Sequence, residues 1–114
     1  MVQFHQSTIE INEKQFDLPY SILDAEEMGE FVYVIYDYME FNKNSVANNL
    51  VCINQLGEVV WVAENPTNQS NDAYTNFMRI KLKGSEYIAV NNFVGVSCLI
   101  ECSTGKCLKT EVTK

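Results

Sequence analysis

The chain has 114 residues, 46% of them hydrophobic, and carries 15 Asp and Glu against 8 Lys and Arg for a net charge of −7. That length predicts a single domain over residues 1–114, whose core closes without metal or disulfide, and a folded rather than a disordered chain is expected. Eight bases are too few to grip nucleic acid, no run approaches the ~18 to 20 apolar residues of a membrane span, and Met1-Val2-Gln3-Phe4-His5-Gln6 lacks a secretory pattern, so a soluble cytoplasmic protein is expected.

In chain order the pattern is that of strands. Thr8 to Asn12 and Gln15 to Leu18 alternate apolar with polar around Asn12-Glu13-Lys14 and predict a hairpin, closed by Pro19. Ser21 to Gly29 is the one segment with a helical signal, with Asp24 as N-cap, acids in the first turn and Gly29 as the stop. Phe31 to Tyr38 is β-branched and aromatic on both faces, the mark of a central strand buried on two sides. Met39 to Asn49 has no apolar period and predicts a loop. Leu50 to Asn54 and Val59 to Val62 then flank the turn Gln55-Leu56-Gly57-Glu58 as a second hairpin.

Glu64 to Asp72, polar and proline-containing, predicts the longest exposed connection. Beyond it, Tyr74 to Leu82 and Tyr87 to Val90 flank Lys83-Gly84-Ser85, and Gly95 to Glu101 and Lys106 to Val112 flank Ser103-Thr104-Gly105. The expected fold class is therefore all-β: two stacked antiparallel sheets of blade-like hairpins, the first over about residues 8–63 and the second over about 74–112, with at most one short helical turn.

Two hairpins repeat. Cys52 to Trp61 and Ile100 to Lys109 align at a constant offset of 48, Gly57 on Gly105. A period of about 40 to 50 residues built from short strands is a signature of blade-like sheets. Leu50 to Trp61 resembles the blade repeat of quinoprotein-like β-propellers, an apolar strand, a polar glycine turn and a strand ending in Trp, and Thr104-Gly105-Lys106 resembles it again with Lys109 in the Trp position. Two copies fall short of the roughly 4 blades a closed propeller needs, so the resemblance implies stacked sheets and neither the quinone nor the metal of those enzymes.

Chemistry is sparse. His5 is the only imidazole, no phosphate loop or nucleophile motif occurs, and the five glycines fall one per turn. The spacings among Cys52, Cys98, Cys102 and Cys107 suit no zinc site. Reduced core thiols are expected, with a Cys102–Cys107 bond across the last hairpin geometrically open. No cofactor or metal is expected.

Charge placement is more informative. Residues 1–64 hold eleven acids and two bases, a balance of −9, whereas residues 65–114 hold four acids and six bases. Acids and aromatics interleave from Tyr20 to Phe41. Taken together, Asp24, Glu26, Glu27, Glu30, Asp37 and Glu40, with Tyr38 and Phe41 as apolar anchors, form the expected partner-binding surface, since carboxylates steer a basic partner while rings supply apolar area. In size, charge and asparagine richness the chain resembles bacterial immunity proteins, the small acidic partners of polymorphic or contact-dependent toxins. That resemblance implies a non-enzymatic monomer covering the cationic active site of a cognate basic, nuclease-type toxin domain. The alternative is a non-catalytic β-module that binds a peptide or protein through a sheet edge, and a third reading is an enzyme with a carboxylate site of raised pKa.

Overall fold

The computed structural model describes residues 2–41, 47–66, 73–78, 87–93 and 95–112. Its strands are β1 (Val2–His5), β2 (Thr8–Ile11), β3 (Lys14–Asp17), β4 (Ile22–Met28), β5 (Phe31–Tyr36), β6 (Leu50–Ile53), β7 (Val59–Val62), β8 (Tyr74–Phe77), β9 (Tyr87–Asn92), β10 (Val96–Glu101) and β11 (Cys107–Val112). All pair antiparallel with their chain neighbours inside three sheets: β1-β2-β3, β4-β5-β6-β7 and β8-β9-β10-β11, here sheets 1, 2 and 3. The fold is all-β. The turn at 83–85 and most of the 64–72 connection lie outside the described residues.

The sheets stack in series with sheet 2 in the middle, and β5 explains why. Val32, Val34 and Tyr36 on one face pack with Ile9, Ile11, Leu18 and Ile22 under sheet 1. Tyr33 and Ile35 on the other pack with Tyr74, Phe77, Ile88, Val90 and Ile100 of sheet 3. A strand apolar on both faces leaves area in water unless each face is covered, at about 25 cal/mol per Å². That need corrects the expectation of one sheet over 8–63: the first hairpin does not extend the β4-to-β7 sheet but folds over its face as a separate layer. Backbone bonds Leu18 N to Ser7 O and Ile22 N to Gln6 O, each 2.8 Å, secure the crossing past Pro19.

The expected helical turn over 21–29 is also corrected, because that segment is β4, paired with β5 from Ile22↔Tyr36 to Met28↔Phe31. Local helix signals lose to this pairing. A bulge between Ile22 and Asp24 changes the phase, so that Ile22 faces sheet 1 while Asp24, opposite Ile35, faces sheet 3. The one helical turn is the 3₁₀ segment Tyr38–Glu40, capped by Asp37, whose carboxylate accepts the Met39 N–H at 2.9 Å.

The repeat is structural. In sheet 2, Cys52 faces Trp61 and Ile53 faces Val59, and in sheet 3, Leu99 faces Lys109 and Ile100 faces Cys107, so the register shift falls at equivalent residues of the second strands and one residue earlier on the first strand of sheet 3. It also sets how sheets dock. Gly57 lies against the ring of Phe16 on β3, and Gly105 against the indole of Trp61 on β7, so sheets 2 and 3 each press a turn glycine onto an aromatic of the sheet before them.

Candidate surface at the loop end of the stack

Five connections meet at one end of the stack: Gln6-Ser7, 18–21, 37–41, 47–49 and the turn that holds Phe93 and Gly95. Tyr38 follows β5, and the 3₁₀ turn it opens projects Met39, 68% exposed. Asp37 N donates to Ser21 O at 2.7 Å, and Ser21 N donates to a Glu40 carboxylate oxygen at 3.0 Å, so the turn is tied to the start of β4 from both sides. The Phe41 ring stacks on Tyr20 with centroids 4.3 Å apart, and Tyr20 leans on Tyr36 at 5.3 Å. Burial holds the Tyr36 phenol up at about 12, with Tyr20 adding to the shift.

From sheet 3 comes Phe93, held by its N–H on Ala73 O at 2.7 Å and 54% exposed. Its ring lies 5.4 Å from that of Tyr38. Tyr38, Met39 and Phe93 thus make an apolar platform spanning sheets 2 and 3, with the Asp37 and Glu40 carboxylates on its border. Each carboxylate is oriented by a backbone N–H.

Of the eight residues expected to form one surface, Asp37, Tyr38, Glu40 and Phe41 are brought together here. The others are not. Asp24 is a correction: it is buried, accepting Ala25 N at 2.9 Å and Phe77 N at 3.0 Å, and so bridges β4 to β8. Glu26, opposite Tyr33, lies on the sheet 3 side of β4, and Glu27, opposite Val32, on the sheet 1 side. Glu30 sits at the β4–β5 turn, separated from Asp37 by the length of β5, roughly 20 Å at ~3.3 Å per residue. Phe93 and Met39 are the platform residues that the sequence did not point to. Phe93 is 55 positions beyond Tyr38, and nothing local marks it.

Elsewhere the chemistry is structural. Asn49 is fully buried, donating to Tyr36 O at 2.9 Å and Tyr74 O at 2.7 Å and accepting Tyr74 N at 3.0 Å, so one amide fastens sheet 2 to the first residue of β8. Trp61 donates to Cys102 O at 2.8 Å. None of the four cysteines is in a disulfide, and Cys107 faces Ile100 across the last hairpin. Burial pushes the Cys52 thiol up to about 12 and raises the Tyr33 phenol further. His5 is exposed on β1. Among the described residues no three His, Cys, Asp or Glu stand close enough to share a metal ion, and no helix is long and apolar enough to cross a membrane.

A family model for a domain of unknown function, DUF7957, matches residues 1–112. The chain belongs to the DUF7957 family. No curated protein matches this DUF7957 chain. Among solved structures it is similar to the computationally designed Ika8 protein, at 10% identity and a TM-score of 0.47, covering 99% of the DUF7957 chain and 48% of the designed one, so it spans about half the length of that protein.

Proposed function

We propose that this DUF7957 chain is a non-catalytic protein-binding module whose loop end seats a basic protein, acting as an immunity protein that covers the cationic active site of a nuclease-type bacterial toxin domain in the cytoplasm. The observation that carries the reading is the exposed platform of Tyr38, Met39 and Phe93 bordered by Asp37 and Glu40. Rings and a flexible thioether supply apolar area, and the carboxylates steer a partner that binds phosphates through Lys and Arg. The surplus of acids in residues 1–64 adds a long-range field of the same sign, which speeds encounter at low salt.

Titration calorimetry with the cognate basic toxin domain tests it. Asp37→Lys with Glu40→Lys weakens binding by about 10- to 100-fold at low ionic strength, and Met39→Glu or Phe93→Glu does so at any salt. Glu30→Lys changes affinity by less than about threefold. Equal losses from Glu30→Lys and Glu40→Lys overturn the assignment of the surface.

A further inference from the structure

The three sheets each end outward in one strand, β3, β7 and β11, because β1, β4 and β8 are the edges that face one another. An outer edge offers unpaired backbone groups, and charges on it discourage unwanted pairing. β3 carries Lys14 and Asp17, and β11 carries Lys109 and Glu111, bridged at 3.2 Å. β7 carries no charge. Its Val59, Val60 and Val62 are 55%, 48% and 49% exposed, an apolar edge left open beside two guarded ones.

The backbone agrees. Ala63 N donates inward to Leu50 O, and along an antiparallel pair the inward and outward residues alternate, so Val62 directs its N–H and C=O away from β6. The next outward N–H, that of Glu64, already donates to Gly105 O at 3.0 Å, and this turn of sheet 3 ends the open stretch. Exposed carboxylates stand at both limits, Glu58 before Val59 and Glu64 after Ala63.

Those limits decide the occupant. A second copy pairing antiparallel about Trp61 sets Glu58 against the other copy's Glu64 twice and drives the Gly105 turns into the facing strands, and like charges directly opposed destabilise a sheet. We propose that the β7 edge binds an extended segment of a partner protein by strand addition, a segment with β-branched residues at alternate positions and a basic residue near each end. Main-chain bonds to Val62 supply the anchoring, the exposed valines the apolar contact and Glu58 and Glu64 the end charges. This site is separate from the loop-end platform.

The probe is the blocked peptide Lys-Ser-Val-Thr-Val-Ser-Lys, read by the emission of Trp61, the chain's single tryptophan, which lies on β7. Saturable binding is expected, lost by at least tenfold when the first Val, which pairs with Val62 when the segment runs antiparallel with a Lys at each Glu, becomes Pro, when both Lys become Glu, or in the Val62→Lys protein, whose exposed position leaves the fold intact. Met39→Glu leaves it unchanged, which separates this site from the loop end. No saturable change, equal binding of the Pro peptide, insensitivity to Val62→Lys, or a dimer by sedimentation without peptide overturns the proposal.

Discussion

Sheets 1 and 2 meet over mainly aliphatic side chains, Ile9, Ile11, Leu18, Ile22, Val32, Val34, Val51 and Ile53, with Tyr36 beside them, whereas sheets 2 and 3 set Tyr33, Trp61, Tyr74 and Phe77 and the thiols of Cys52 and Cys98 among aliphatics such as Ile35, Val90 and Ile100. Among the described residues, the second junction alone is crossed by buried polar side chains, Asn49 to Tyr74 and Asp24 to Phe77. Aliphatic contact is without direction, so the first junction holds by area. The second is held in one register by hydrogen bonds whose loss strands backbone groups out of water.

The largest effect expected from this contrast is at Asn49. Asn49→Ala takes these buried bonds from the Tyr74 N–H and from the Tyr36 and Tyr74 carbonyls and costs roughly 3 to 5 kcal/mol by urea unfolding, while Ile11→Val across the aliphatic junction costs about 1. A smaller loss for Asn49→Ala than for Ile11→Val contradicts the contrast. Next come the turn glycines, at φ +79°, +78° and +63° for Gly105, Gly57 and Gly29. A Cβ on Gly105 meets the Trp61 ring at 2.5 Å, and that ring is buried and tied to Cys102 O. On Gly57 it meets Phe16 at 2.9 Å, a half-buried ring on an outer strand that can swing aside, and on Gly29 it meets nothing within 4 Å. Alanine is therefore expected to cost about 3 kcal/mol at Gly105, about 2 at Gly57 and about 1 at Gly29, where positive φ alone contributes.

The smallest effect at neutral pH is at the buried acids of the core, which act only in alkali. Cys52 and Tyr36 are raised from 9.0 and 10.0 to about 12, chiefly by burial, and Tyr33 is raised further. Above pH 9 the unfolded chain sheds these protons while the folded one keeps them, so their contribution is whole below pH 9 and is lost as pH climbs towards 12, at up to about 1.4 kcal/mol per group per pH unit. The Tyr36 hydroxyl is buried with no hydrogen-bond partner among the described residues, so Tyr36→Phe changes neutral stability by less than about 1 kcal/mol and makes the alkaline loss shallower.

Much of the fold could be read from the residues. Phe31 to Tyr36 announced a strand covered on both sides by being apolar at every position, and the 48-residue offset placed Gly57 and Gly105 in equivalent turns. What could not be read depends on partners distant in sequence. Asp24 looks like a helix cap because its neighbours are good helix formers, and only Phe77, 53 positions on, shows why it is buried in a strand. The bulge at Leu23 breaks the alternation that assigns a face, and Asn49 sits in a run of asparagines where nothing singles out the one that fastens two sheets. At the loop end the half supplied by Asp37, Tyr38, Glu40 and Phe41 was visible as interleaved acids and rings, and the half supplied by Phe93 was not.

The proposed binding surface is tested most directly by amide hydrogen exchange on the chain with and without its basic toxin domain. Binding at the loop end slows exchange at residues 38–41 and 92–95 and leaves residues 26–30 at the β4–β5 turn unchanged. Protection confined to residues 26–30, with the 3₁₀ turn and the Phe93 turn exchanging as in the free chain, contradicts it.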